Sequence, residues 1–501
     1  MDRIQYFPDY ISWSMNSKSL LEELIARCPG LPKEVVQNHL DSLHDEYFRF
    51  FSTETIAEHI IKLHTLTPEK PVKTLVHSEN DGKVHCTVLA PDYPSVFSLI
   101  TGLLGATHFD IVSGSSFTYR KSRTEQQVRT SPYKRRTSSK AAPTGQKRKI
   151  IDFFSGTISS EASLRAWQDE MQKLLVEVFK ILEHEEQQGI DAAKRKVHEY
   201  VAEALSARTI SEQAILYPVE ITIDDNAERT KLSITSVDTP FFLYAVSTAL
   251  TLHRVSIESV HIQTIDAKVV DEFEIVDLHG KPVTSERKLN QIKFSILFTK
   301  QFTYYLWESP DPFRALLRFE NILQDMVEHT HELGQEKYLS NPTILKELAR
   351  LLGTSDFLWE DFIRTQYETI LPLLTPQIKN RYFSHSEKEM KTSLREELDR
   401  CSSSEEKKQV LNQFKDRETY LIDLDHILKE EADFLFLSRK LTNVAELIVS
   451  EAVAIIWNEM NAVHGVPRTV AGIQTTFAVF GLGKLGGAAI GYASNIELLF
   501  V

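Results

Sequence analysis

Apolar residues fall along this chain in three textures. In residues 1–70 they recur at three- and four-residue steps, as in Leu20, Leu21, Leu24 and Ile25, which predicts amphipathic helices. Ser52-Thr53 ahead of Ile56 and Ala57 reads as a helix cap. From Lys73 to about Gln187 alternation takes over. Val84, Cys86 and Val88 alternate with polar neighbours, as on a half-buried strand. Asp92-Tyr93-Pro94-Ser95 makes a turn, and Val96, Leu99, Ile100 and Leu103 then share one helix face. Ile111 to Tyr119 and Ile150 to Thr157 read as two further strands. The same order returns from Tyr217 to about Val327. Leu232, Ile234 and Ser236 lie on a strand, Asp238-Thr239-Pro240 on a turn, and Phe242, Ala245, Val246 and Ala249 on a helix face. Val255 to Thr264 and Val269 to Val276 make a strand pair. A period of roughly 145 residues is domain duplication rather than a solenoid.

The third texture, from about Pro310 to Val470, is helical almost throughout. Leu441, Val444, Ala445, Ile448, Ala452, Ile455 and Ile456 hold one stripe, which Gly465 and Pro467 end. Phe477 to Phe480 and Ile496 to Val501 return to short apolar runs that suit buried strands. The expected architecture is therefore α+β and multidomain. A helical segment spans 1–70, a first β-α-β-β-α-β module 71–190 and a second 191–327. An all-α region follows over 328–472, and an α/β domain opens at 473–501.

Composition narrows the classes. The chain has 501 residues, 42% of them apolar and 25% charged, which suits globular protein. No run approaches 18 uninterrupted apolar residues, and the first ten residues lack a basic-then-apolar leader, so neither a membrane partner nor secretion is expected. Cys28, Cys86 and Cys401 are far apart and odd in number, as reduced thiols of a cytoplasmic protein would be. The net charge of -13 hides an asymmetry: residues 120–149 hold 11 Lys/Arg and one Glu. That basic stretch, with Pro132, Pro143 and Gly145, reads as a disordered insertion in the first module. The remaining chain is more acidic than the total, which makes nucleic acid an unlikely partner.

The most specific motif lies at the end: Gly483-Lys484-Leu485-Gly486-Gly487, then Ser494-Asn495-Ile496-Glu497-Leu498. A strand entering a Gly-Gly turn can cradle phosphates on backbone N–H groups. Oxygen-bearing side chains two apart on the next strand share a face and could hold Mg²⁺. A plain glycine turn between two core strands explains the same spacing equally well.

Leu482 to Val501 resembles the nucleotidyltransferase signature of glutamine synthetase adenylyltransferases. Leu351 to Leu358, Phe414-Lys415-Asp416-Arg417-Glu418 and Leu441 to Pro467 are similar to helical motifs of that family, in the same order. The resemblance implies ATP and Mg²⁺ as cofactors, with Gly486, Gly487 and Ser494 at the nucleotide and Glu497 and Asn495 at the metal. It leaves the catalytic residues unassigned. Asn495 stands where the family has its first metal-binding aspartate, and Ala488-Ala489 where it has Arg-Glu. A neutral amide removes charge the cation needs. An apolar strand ending at Val501 has an open edge, so a fragment without catalysis is the expectation. The two repeats resemble ACT domains, the second especially those of the uridylyltransferase that modifies PII. Segment Tyr47 to His59 resembles what precedes them in that enzyme. This implies an amino-acid effector such as glutamine. Ser95 and Phe241 stand where those modules usually carry glycine, which puts the ligand in question. Implied partners are glutamine synthetase and PII. Three readings follow: AMP transfer to or from glutamine synthetase, a degenerate regulatory scaffold, and uridylyl transfer.

Overall fold

The computed structural model describes residues 17–79, 82–120, 147–158, 163–183, 186–207, 220–224, 229–265, 268–329, 342–354, 359, 382–429, 432–475, 477–491 and 494–501. Most of the basic insertion, 121–146, lies outside them, as do Ser355 to Leu358. The chain divides into two compact units, Met1–Trp307 and Glu308–Val501.

The first unit opens with helices α1 (Ser17–Arg27), α2 (Lys33–Ser42), α3 (Asp45–Phe50) and α4 (Thr53–His64). Ser52 caps α4 by accepting from the Thr55 N–H at 3.2 Å. Strands β1 (Lys73–Ser78) and β2 (Val84–Pro91), helix α5 (Val96–Ala106), β3 (Phe109–Thr118), β4 (Lys149–Ile158) and α6 (Leu164–Glu183) follow. After α7 (Glu186–Ser206) the pattern repeats as β5 (Glu220–Asp224), β6 (Thr230–Val237), α8 (Phe242–Leu252), β7 (Ser256–Ile265), β8 (Lys268–Val276) and α9 (Glu286–Tyr305). Each module thus runs β-β-α-β-β-α, which corrects the expected β-α-β-β-α-β order. The edge strand precedes the module instead of closing it. Lys73–Ser78 escapes the alternation test because its burial follows no period of two.

All eight strands form one antiparallel sheet, ordered β1-β2-β4-β3-β7-β8-β6-β5. The modules meet through β3 and β7, where Ser115 lies opposite His261 at the centre of the paired stretch. Those two residues are 146 apart, as are Thr101 and Ser247, whose hydroxyls meet at 3.4 Å between α5 and α8. Left-handed backbone recurs at the same interval: Ser95 and Phe241, then His108 and Arg254. A repeat whose equivalent residues face each other is related by a pseudo-two-fold axis, here through the β3–β7 seam.

One face of the sheet carries the helices that belong to the modules. Phe97 on α5 packs against Phe154 of the first module and Phe273 of the second. Trp167 on α6 stacks on Phe109 and donates to the Thr107 carbonyl at 3.1 Å. Helices α1–α4 cover the other face of the first module, burying Leu24, Val36, Tyr47 and Ile56 with Leu89, Phe117 and Ile151. Edge strand β1 is occupied by a side chain. Gln172 accepts from the Thr74 N–H at 2.8 Å and donates to the Val72 carbonyl at 3.0 Å, which blunts an edge that could pair with another chain.

The second unit holds helices α10 (Pro312–His329), α11 (Pro342–Leu352), α12 (Glu387–Asp399), α13 (Ser404–Leu428) and α14 (Phe434–His464). Capping boxes start α12 at Ser386/Glu389 and α13 at Ser403/Glu406. Helix α14 is long and apolar enough to cross a membrane by length and composition. Its Leu437, Leu441, Val444, Ala445 and Leu447 pack into a core with Met390, Leu394 and Phe414. Ile456, expected on that stripe, is exposed. Gly465 ends the helix with positive φ.

Candidate functional site

Strand β9 (Val479–Leu482) runs into the single helical turn α15 (Gly483–Gly486), and β10 (Glu497–Phe500) returns antiparallel beside β9. Two glycines are required by space. A Cβ on Gly486 would lie 2.4 Å from the Gly481 carbonyl oxygen. Gly483 has φ +55°, and its Cβ position is 2.7 Å from a Glu497 carboxylate oxygen. The register places Glu497 opposite Leu482, so the carboxylate lies directly against the start of the turn. Leu485 and Ile490 anchor the turn in the helical core with α14.

The remaining expected residues sit near this turn in different states. The Gly487 N–H donates to the Gly483 carbonyl at 3.0 Å, and those of Ala488 and Ala489 donate to Leu485 and Lys484. Gly487 therefore lends shape rather than a free donor. Ser494 closes a local turn: its N–H donates to the Gly491 carbonyl and its Oγ accepts from the Gly491 N–H at 2.9 Å. Asn495 is exposed and precedes β10, which begins at Glu497. The strands are less buried than their apolar runs suggest, with Phe480, Leu499 and Phe500 each about half exposed. Of these two strands, only Leu498 packs against the helical core. Among the described residues no group of three or more His, Cys, Asp or Glu could hold a metal ion. Glu497 supplies one charged ligand and Asn495 a neutral oxygen, so Mg²⁺ held here would take the rest of its coordination from substrate phosphates and water.

Residues 345–501 match the protein family described as glutamate-ammonia ligase adenylyltransferase. Over that stretch the chain is similar to the adenylyltransferase family. A bifunctional glutamine synthetase adenylyltransferase/adenylyl-removing enzyme of Alteromonas mediterranea is 34% identical over 168 residues, 32% of this chain and 17% of the relative. Its counterpart in Acinetobacter baylyi is 26% identical over 212 residues, 41% of this chain and 22% of the relative. A bifunctional uridylyltransferase/uridylyl-removing enzyme of Azospirillum brasilense is 27% identical over 267 residues, 52% of this chain and 25% of that protein. The chain thus spans between 17% and 25% of the length of these relatives.

The helical motifs of the adenylyltransferase resemblance have structural roles. Arg318 on α10 is buried and donates to the Leu352 and Thr354 carbonyls at 2.8 and 2.9 Å, tying off the end of α11. Glu418, fully buried on α13, meets His385 Nδ1 at 3.0 Å. Asp425, seven residues on, accepts from the Phe383 and Ser384 N–H groups and the Ser384 hydroxyl. Glu418 and Asp425 thus brace α13, one of the helices on which the glycine turn rests.

Sequence reasoning missed a set of charged groups under the sheet's helical layer. Asp152 on β4 is 1% exposed; its Oδ1 accepts from Ser116 Oγ at 2.5 Å, and its Oδ2 has no partner. Burial, opposed by the Ser116 hydrogen bond and aided by the Asp92 charge, pushes its pKa up to about 7. Asp271 holds the matching place on β8. It is fully buried, accepts from the Gln263 N–H, has one oxygen without a partner, and is raised well above the carboxylate range by burial. Lys300 on α9 is also buried. It donates to Ser236 Oγ and the Val237 carbonyl, and burial lowers it to about 8 against the attraction of Asp238. Only the repeat signalled these sites, since it aligns the turn aspartates Asp92 and Asp238.

Proposed function

We propose that this chain is a nucleotidyltransferase-family regulator of glutamine synthetase, adding or removing an AMP group under amino-acid control. The observation that carries the reading is the adenylyltransferase match over residues 345–501, which includes a turn that sets Glu497 against Gly483. ATP is the proposed donor, with Gly486, Gly487 and Ser494 shaping its phosphate site. In the forward direction a tyrosine hydroxyl oxygen bonds to the α-phosphorus, the bond to pyrophosphate breaks, and the hydroxyl proton passes to a base. Catalysis of this kind rests on positioning and charge stabilisation. The proposed setting is the cytoplasm.

The front half supports a sensing role. Two four-stranded antiparallel modules with helices on one face, joined edge to edge, suit ACT-like domains, and glutamine is the effector we propose for them. PII is a further proposed partner, motivated by similarity to a uridylyltransferase. The experiment incubates the chain with glutamine synthetase, Mg²⁺ and ATP labelled at the α-phosphate, with UTP as the competing donor. Label transfer from ATP, increased by Asn495→Asp, is expected. No transfer by either protein overturns the enzymatic reading.

A second reading is favoured by Asn495 and the Ala488-Ala489 pair: a degenerate scaffold that signals without group transfer. It predicts no label transfer, together with measurable heat on titrating amino acids in calorimetry. Absence of heat across the panel removes the sensing half.

A further inference from the structure

We infer that the seam between the two sheet modules is a receptor for a monosubstituted guanidinium, and that the chain fills it in cis with Arg148. The inference stands apart from the nucleotidyltransferase reading, because every residue in it lies in the first unit.

Arg148 immediately precedes β4. Its Nη2 lies 2.7 Å from Asp92 Oδ2, in the turn before α5, and its Nη1 lies 3.0 Å from Glu258 Oε1, on β7 of the other module. Nη2 also donates to Ser256 Oγ at 3.4 Å, and Nη1 to the Tyr119 carbonyl at 3.5 Å. One planar fork thus spans both modules, with acceptors on β7, the turn and the end of β3. The pair is screened from water: the Arg148 and Glu258 side chains are 19% and 12% exposed. Burial disfavours the guanidinium charge, but Asp92 and Glu258 outweigh it and raise its pKa. Charge-assisted bonds of this geometry are the strong ones.

The receptor is held without the guanidinium. The Asp92 N–H donates to the Arg148 carbonyl at 2.7 Å, so the backbones are tied to each other. Lys147 Nζ sits 3.9 Å over the Tyr93 ring, and Lys149 Nζ donates to the Leu63 carbonyl. Ser256 Oγ donates to Glu258 Oε1, which orients that carboxylate. Removing the Arg148 side chain therefore leaves a shaped anionic slot rather than a loose loop.

The second module does not repeat this ion pair. Lys300 on α9 donates to the Ser236 hydroxyl and the Val237 carbonyl, just before the turn aspartate Asp238. Burial and the charge of Asp110 outweigh Lys300 there and raise the Asp238 pKa, so the bidentate site belongs to the Asp92 turn. Phe241 adds to the closure of the second turn, its ring 2.7 Å from the Cβ position of Gly105 on α5. The seam is self-liganded at its Asp92 end, where an entering cationic ligand has to displace Arg148.

The test is chemical rescue in the full chain. Arg148→Ala should lower the melting temperature by about 2–6 °C. Millimolar methylguanidinium should restore part of that loss saturably, while leaving the wild type and Arg148→Ala/Glu258→Gln unmoved. Equal shifts in all three proteins, or no shift in Arg148→Ala, overturn the receptor. Should Arg148→Ala not fold, hydrogen exchange on Glu258→Gln decides. Faster exchange at residues 113–117 and 259–263, with β1 and β2 unchanged, is expected, and unchanged exchange at the seam overturns it.

Discussion

Asp152→Asn isolates the buried carboxylate beneath α5. In the native protein Asp152 keeps its proton up to about pH 7, whereas the unfolded chain releases it near 3.8. Between those values the folded state binds more protons, so stability falls as pH rises. The sign is opposite to that of a salt-bridged carboxylate. Each pKa unit is worth about 1.4 kcal/mol, so the whole window is worth about 4 kcal/mol, of which about 2 kcal/mol lies between pH 5 and 7. Asparagine keeps the acceptor for Ser116 and cannot titrate; its amide meets no acceptor at the Oδ2 position, a constant cost of about 1 kcal/mol. Urea denaturation of both proteins at pH 5, 6, 7 and 8 gives the measurement. The variant should gain about 2 kcal/mol on the wild type from pH 5 to 7 and hold steady above that. Other titrating groups cancel in the difference. Parallel curves would falsify the raised pKa and show that the carboxylate is ionised or hydrated in the fold.

A buried hydrogen-bonded chain gives the opposite pH response. His39 meets Tyr119 Oη at 2.6 Å and Tyr47 Oη at 3.2 Å, and Tyr47 Oη meets His59 at 2.8 Å. Burial lowers His39 to about 3, aided by His59 and Lys149, and lowers His59 to about 4. Their contribution is complete above the unfolded value of 6.5 and is lost as pH falls below it, by about 2 kcal/mol each from pH 7 to 5. Tyr47→Phe should cost about 1–3 kcal/mol near neutrality by orphaning His59 and leaving His39 with Tyr119 alone; denaturant unfolding would detect a smaller loss. Phe241→Gly relieves a left-handed non-glycine residue but empties the space against Gly105. A net loss of about 2–4 kcal/mol is expected, and a stabilised variant would show that strain outweighs packing.

The helical stripe of α14 was legible because Leu441, Val444 and Ala445 recur at the helical period and pack into the core. The duplication was legible too, because the Asp92 and Asp238 turns precede similar apolar helices. Burial of β9 and β10 was not: an apolar run reports hydrophobicity, while burial depends on a layer the run does not encode. Strand order was missed because β1 and β5 join their modules from the N-terminal side, a choice local pattern does not mark. The charged sites were illegible for a related reason. The pairing of β2 with β4 sets Asp92 beside Arg148, and the pairing of β3 with β7 brings Glu258 to them; no spacing announces a partner more than a hundred residues away. At the glycine turn, residue types were readable, while Gly487's bonded N–H and Asn495's place before β10 were not.

The pseudo-two-fold seam has an evolutionary corollary. In a homodimer every substitution appears twice, so the two ends of a shared interface cannot diverge. Joining both modules in one chain removes that constraint. Here one end carries Ser95 and Arg148, and the other carries Phe241 and Lys300. Each end is free to acquire its own occupant, so one can close permanently while the other remains exchangeable.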